Sequence, residues 1–267
     1  MMNRNTLLII GICANLLLIT IALPIENKYD PDESEIDPEE IGGFFEGDMM
    51  LDEDQYEAIM NPRGRNIQIG EKYRWKDAII YYEIDSIFDK HQVTLIQQAI
   101  DVIEKSTACI RFYPKTENTK DYIKVIGNPT GCHSRVGHSG GEQTLNLAPN
   151  TVGKGCFKLY KIVHEFLHAL GFHHQQSTYN RDDFVTIVEE NIKDGHEHNF
   201  KKYSISKVTD LGVPYDYESV MHYGSKTFSK NGKPTIVPHD SKAKIGQREK
   251  LSQKDIAKLN LMYCTKK

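Results

Sequence analysis

The pattern of apolar and polar positions divides the chain into stretches of different kinds. Residues 7–23 are an apolar run broken only by Asn15 and Thr20. Residues 24–62 are too polar to build a core alone, with one exception. Phe44-Phe45-Glu46-Gly47-Asp48-Met49-Met50-Leu51 sets apolar side chains around a Gly-Asp, as a docking segment would. From Ile67 onward the pattern predicts a mixed α/β domain. A strand is expected over residues 78–82, rich in β-branched and aromatic residues, with short strands at 110–113 and 122–126. Val93, Ile96, Ile100 and Ile103 recur at helical spacing and predict a helix over 91–106; Ile256 and Leu259 predict another over 252–263. Residues 127–155 carry Pro129 and Pro149 with four glycines between them, so no long element is expected there.

The apolar run follows Arg4 and ends at Thr20-Ile21-Ala22, which reads as a signal peptide over residues 1–22 and a secreted product. An uncleaved anchor is the competing reading, at the lower edge of membrane-spanning length. Charge is divided unevenly. Residues 24–65 hold 14 acidic side chains against Lys28, Arg63 and Arg65, while the whole chain of 267 residues has a net charge of −4. An acidic block thus precedes a mildly basic body with no basic cluster, which argues against nucleic acid as a partner. Arg63-Gly64-Arg65 in that stretch is an accessible target for a trypsin-like protease. Together these features suggest a removable propeptide over 23–65. Cys13 lies in the leader. The other four cysteines, Cys109, Cys132, Cys156 and Cys264, are an even set that suggests two disulfides, with three connectivities open.

The chemistry is concentrated in His164-Glu165-Phe166-Leu167-His168-Ala169-Leu170-Gly171-Phe172-His173-His174. Four residues apart on a helix, His164 and His168 project from one face and can share a zinc ion. Glu165 is placed to act on a water as general base. Gly171 allows the helix to end in a left-handed residue and turn, which brings His174 back as a third ligand. Three protein ligands leave a fourth position open, the arrangement of a catalytic zinc and of peptide hydrolysis.

This stretch resembles the HExxHxxGxxH signature of metzincin zinc endopeptidases. Further residues narrow the resemblance to the astacin family. They are Ser219-Val220-Met221-His222-Tyr223, Ile245-Gly246-Gln247-Arg248, and Gly70-Glu71 with Tyr73 and Trp75. The resemblance covers about residues 45–264. It implies an α+β, two-lobed fold. The N-terminal lobe has a twisted mixed sheet and two long helices; the C-terminal lobe is mostly irregular with a terminal helix. It implies Tyr223 as an additional zinc ligand that swings to the transition-state oxyanion, and Met221 as a packing base under the metal. Asp48, in Phe45-Glu46-Gly47-Asp48, would block the zinc in a zymogen. Cleavage after Arg65 would start a peptidase domain, residues 66–267, at Asn66. The family pairing joins Cys109 to Cys264 and Cys132 to Cys156. Residues 142–147 resemble the family's edge strand at the cleft rim, where an extended substrate adds antiparallel.

Gln175 departs from the family, which usually carries a Glu there to pair with the mature N-terminal ammonium. Thr178, His133 and Tyr81 stand where Arg, Trp and Pro are frequent. The expected product is a secreted zinc endopeptidase, taken as a monomer, acting on protein or peptide substrates without stable membrane association. Its rival is a catalytically silent zinc-binding recognition protein.

Overall fold

The computed structural model describes residues 37–60, 71–203 and 210–265. The expected signal peptide, Arg65 and Asn66 lie outside them. The described chain opens with a 3-10 turn at Pro38–Glu40, strand β1 (Met49–Met50) and helix α1 (Glu53–Met60). The main body follows with β2 (Ile79–Ile84) and α2 (Lys90–Ser106). Then come β3 (Arg111–Pro114), β4 (Tyr122–Ile126), β5 (Cys132–Arg135), β6 (Glu142–Leu147) and α3 (Leu159–Ala169). Beyond α3 the chain is mostly irregular, with short 3-10 turns, a two-stranded ribbon of β7 (Val185–Ile187) and β8 (Ile236–Pro238), and a final helix α4 (Gln253–Tyr263).

Local chemistry explains the boundaries. Asp89 and Gln92 form a reciprocal capping box at the start of α2, which places the first helical residue one position earlier than the apolar spacing does. Ser252 and Asp255 do the same for α4. One sheet runs in the order β1-β5-β6-β4-β2-β3, parallel except where β5 meets β6. Helices α2 and α3 pack with it around a core that includes Ile80, Ile96, Ile103, Val125, Leu145 and Phe166, all at most 1% exposed. Burial on this scale is the main force holding the domain together. A smaller apolar cluster, with Val185, Phe200, Phe228 and Ile236, organises the irregular part.

Both disulfides have the pairing the resemblance implies, Cys109–Cys264 and Cys132–Cys156. The first ties the loop after α2 to the end of α4. One expectation is overturned. Glu142–Leu147 is not an edge strand, because β6 is hydrogen-bonded on both sides, to β4 and β5. Its buried Leu145 and Leu147 suit an interior strand. The rim strand is β5, and its outer edge is taken by β1 in parallel register, Met49 opposite Ser134.

Among the described residues no helix is long and apolar enough to cross a membrane.

Candidate metal centre

Helix α3 is buried along almost its whole length, so the polar side chains on it are held without access to bulk water. His164 and His168 lie one turn apart. The helix ends because Gly171 takes φ +97°, with Gly171 N–H donating to His168 O at 2.8 Å and Phe172 N–H to Leu167 O at 3.0 Å. This double bond pattern caps the helix and reverses the chain. His174 thereby returns to the other two imidazoles.

Each of the three rings is fixed through Nδ1. His164 Nδ1 donates to Val220 O at 2.9 Å, His168 Nδ1 to Phe172 O at 2.8 Å, and His174 Nδ1 to the Glu46 carboxylate at 2.8 Å. With the Nδ1 protons so placed, three bare Nε2 lone pairs face one another. His168 Nε2 lies 3.1 Å and His174 Nε2 3.3 Å from His164 Nε2. Asp48 Oδ2 joins them, 3.2 Å from His164 Nε2 and 3.4 Å from His174 Nε2. Lone pairs at this separation repel unless a cation sits among them. Tetrahedral zinc at about 2.0–2.1 Å from nitrogen separates its ligands by about 3.3–3.4 Å, so the cluster fits that ion. It is also the group of side chains among the described residues identified as able to hold a metal.

The electrostatics agree. Burial pushes the His164 pKa down to about 4, which keeps it neutral and available as a ligand. Burial works the same way on His174, but the carboxylates of Asp48 and Glu46 outweigh it and raise its pKa to about 9. Without a metal these carboxylates favour a proton on His174, and a bound cation takes that proton's place and uses the Nε2 lone pair. Glu165 is fully buried, and neither of its carboxylate oxygens has a hydrogen-bond partner. Burial, reinforced by the Asp48 and Glu39 carboxylates, raises its pKa well above the usual range. A buried carboxylate with both oxygens orphaned implies a partner such as water or substrate.

Met221 is 1% exposed within the main core, and the backbone just before it is clamped from α4. Asp255 accepts from Ser219 Oγ at 2.6 Å and from Val220 N–H at 2.9 Å. The Tyr223 ring lies 4.6 Å from that of His174, and its hydroxyl donates to Glu46 O at 2.5 Å. Gln175 Oε1 accepts from Lys258 Nζ at 2.6 Å. His133 packs its ring against Phe44, 4.4 Å between centroids.

A profile of the Astacin peptidase family matches residues 68–264. The chain belongs to the astacin family. Zinc metalloproteinase nas-14 of Caenorhabditis elegans is 43% identical over 230 residues, 86% of this chain and 45% of that protein. Blastula protease 10 of Paracentrotus lividus is 40% identical over 238 residues, 82% of this chain but 38% of its own length. This chain therefore spans less than half the length of these relatives. Seminal metalloprotease 1 of Drosophila melanogaster is 38% identical, with 85% of this chain and 89% of that protein aligned. Among solved structures, high choriolytic enzyme 1, a hatching enzyme zinc-protease from Oryzias latipes, superposes with a TM-score of 0.66 at 36% identity, covering 72% of this chain and 94% of that one.

Several residues that shape this astacin centre have no role in the sequence reading. Glu46 is fully buried and accepts from Ser177 Oγ at 2.7 Å and Tyr203 Oη at 2.6 Å besides His174. Its signal is an acidic residue inside the one apolar patch of a polar stretch. Asp255 is signalled by its place three residues after Ser252, as a capping-box partner. Lys161 and the ion pairs of Arg248 leave no such trace.

Proposed function

We propose that this chain is a zinc-dependent endopeptidase made as a zymogen. Residues 1–22 direct secretion, residues 23–65 form the propeptide, and a trypsin-like protease cuts after Arg65 to start the mature chain at Asn66. His164, His168 and His174 hold the zinc, and Asp48 closes the remaining position until the propeptide leaves. The observation that carries this reading is the meeting of three Nε2 lone pairs with a carboxylate from residue 48, beside an orphaned Glu165.

When bound, zinc supplies Lewis acidity that polarises a peptide carbonyl and brings the pKa of a water to about 7. The remaining work belongs to the chain. Glu165, with no competing hydrogen bond, takes a proton from the attacking water and returns it to the leaving amine. Tyr223, released from Glu46 O, donates its hydroxyl hydrogen bond to the oxygen on which negative charge develops. Met221 packs beneath the imidazoles, and Asp255 holds its turn in place. Strand β5, freed of β1, offers an edge on which an extended peptide adds.

The test is cleavage of a mixed peptide library by the full chain before and after limited trypsin treatment, with a chelator control and Glu165→Ala. Chelator-sensitive, Glu165-dependent cleavage that rises after trypsin is expected. A folded, zinc-loaded and processed protein that cuts nothing refutes the proposal and favours a silent zinc-binding protein.

A further inference from the structure

The three imidazoles differ in what holds them from behind. His164 and His168 donate from Nδ1 to backbone carbonyls of the body, Val220 O and Phe172 O. His174 donates instead to a carboxylate, and that carboxylate belongs to Glu46, in the acidic segment ahead of Arg65. Oε2 of Glu46 faces His174, while Oε1 takes the hydroxyls of Ser177 at 2.7 Å and Tyr203 at 2.6 Å. The side chains of His174 and Glu46 are both fully buried, so water neither screens the contact nor competes for it.

The backbone is bent to make this contact. Glu46 takes φ 48° and Gly47 φ 88°, the left-handed region that a residue with a side chain rarely adopts. Such a conformation persists where surrounding contacts over-determine it. Here Glu46 N–H donates to Asn199 Oδ1 at 3.0 Å, and Glu46 O accepts from Tyr223 Oη at 2.5 Å. The turn sends two carboxylates to one imidazole, Glu46 to Nδ1 of His174 and Asp48 to its Nε2 side. Closing the metal's remaining position needs Asp48 alone. Docking of the segment has a further anchor in Glu39, which accepts from Arg248 Nε at 3.0 Å and Nη2 at 2.6 Å and stands 3.5 Å from Lys161 Nζ.

A carboxylate behind Nδ1–H draws on that proton, makes Nε2 the better electron donor and fixes the ring; removing such a partner typically lowers metal affinity about 10–100-fold. We infer that Glu46 is a positioning residue for the metal and that the uncut chain is the form that captures zinc. The Glu46 carboxylate tightens the hold of His174, and release of the segment leaves the site holding the ion more loosely. This inference rests on the reading of residues 23–65 as a removable propeptide. One segment then loads the site and blocks it, through two different carboxylates.

The experiment loads the full, uncut chain with zinc and titrates it with a competing chromophoric chelator. Glu46→Gln keeps the size of the side chain and removes its charge, and should weaken zinc binding about tenfold or more. Made beside Asp48→Asn, the same change should still weaken it about tenfold, because the effect does not run through the blocking carboxylate. Equal zinc affinity of Glu46→Gln and wild type, or an effect that vanishes beside Asp48→Asn, overturns the inference. A second measurement needs no variant. In the 15N-labelled, uncut, zinc-loaded chain, the Nδ1 proton of His174 should resonate downfield of those of His164 and His168, whose acceptors are neutral carbonyls. A His174 proton level with or upfield of the other two overturns the inference as well. Cutting with trypsin, followed by gel filtration, separates this inference from the reading beneath it. A wild-type zinc affinity that falls after cutting sustains both. If Glu46→Gln weakens zinc binding in the uncut chain while cutting leaves the wild-type affinity unchanged, the part of the carboxylate stands and the propeptide reading fails.

Discussion

Glu46 gives the sharpest test of how the acidic segment is held. Its carboxylate is fully buried and accepts hydrogen bonds from His174 Nδ1 at 2.8 Å, Ser177 Oγ at 2.7 Å and Tyr203 Oη at 2.6 Å. Hydrogen bonds to a charged group contribute about 1.5–3 kcal/mol each. Glu46→Ala removes three at once and leaves three buried donors to water that enters the space. At the low end of the range the segment loses about 4.5 kcal/mol of docking free energy, a roughly thousandfold rise in the open population. The backbone of Phe45 and Gly47 is unaltered by the change, so β1 can still dock. Hydrogen exchange of the full, uncut chain reads this directly, because Met49 N–H is bonded to Phe45 O and Ser134 N–H to Asp48 O. Exchange at these amides should accelerate by two to three orders of magnitude, while Val125 in the sheet centre stays protected. Acceleration below tenfold would show that the segment is held mainly by Asp48 and the Glu39 ion pairs, and would refute the weight given to Glu46.

Other outcomes follow from the same geometry. Replacing the Cys109–Cys264 pair by Ala opens a link across 155 residues, for which chain entropy gives about 5 kcal/mol against about 3.5 for Cys132–Cys156; the first variant should melt at the lower temperature in calorimetry. Buried His222 donates from Nδ1 to Tyr223 O and accepts from Tyr215 Oη, and burial lowers its pKa from 6.5 to about 4. The unfolded chain therefore binds more protons between these values, so stability is fully present above pH 6.5 and declines as the pH falls toward 4, by about 3 kcal/mol from this group. Denaturant titration from pH 7 to 4 should show that slope, and His222→Gln should flatten it. Tyr223→Phe should leave peptide KM nearly unchanged and lower kcat by about a hundredfold if its hydroxyl serves the oxyanion, as stopped assays on processed protein would show.

The elements that follow periodic patterns were legible in the sequence. Residues 91–106 and 252–263 are helical within a residue at each end, because their apolar spacing and caps point the same way. The three histidines were legible too, since an i, i+4 pair and a glycine at a helix end are local features. Residues 142–147 misled, because a strand's neighbours are set by long-range pairing that its own side chains record only weakly. The burial of Leu145 and Leu147 on one strand fits an interior position, whereas the edge reading came from the family resemblance and not from these side chains. The fixing of His174 by Glu46 and of the turn before Met221 by Asp255 was also hidden. Each spans at least 35 residues of sequence and depends on a single carboxylate that, read alone, belongs on a surface.

The clamp from Asp255 to Ser219 and Val220 also fixes an order of events during synthesis. A ribosome produces residues 37–60, which carry Asp48, first, then the three histidines and Glu165, and only later the helix that carries Asp255 and Cys264. The floor of the metal site lacks its support until some ninety residues after His164 have emerged. At every earlier moment Asp48 already exists and the supported site does not. If Asp48 blocks the metal as proposed, the geometry of the site is assembled around its own obstruction, and the newly made chain passes through no stage in which a finished centre stands open.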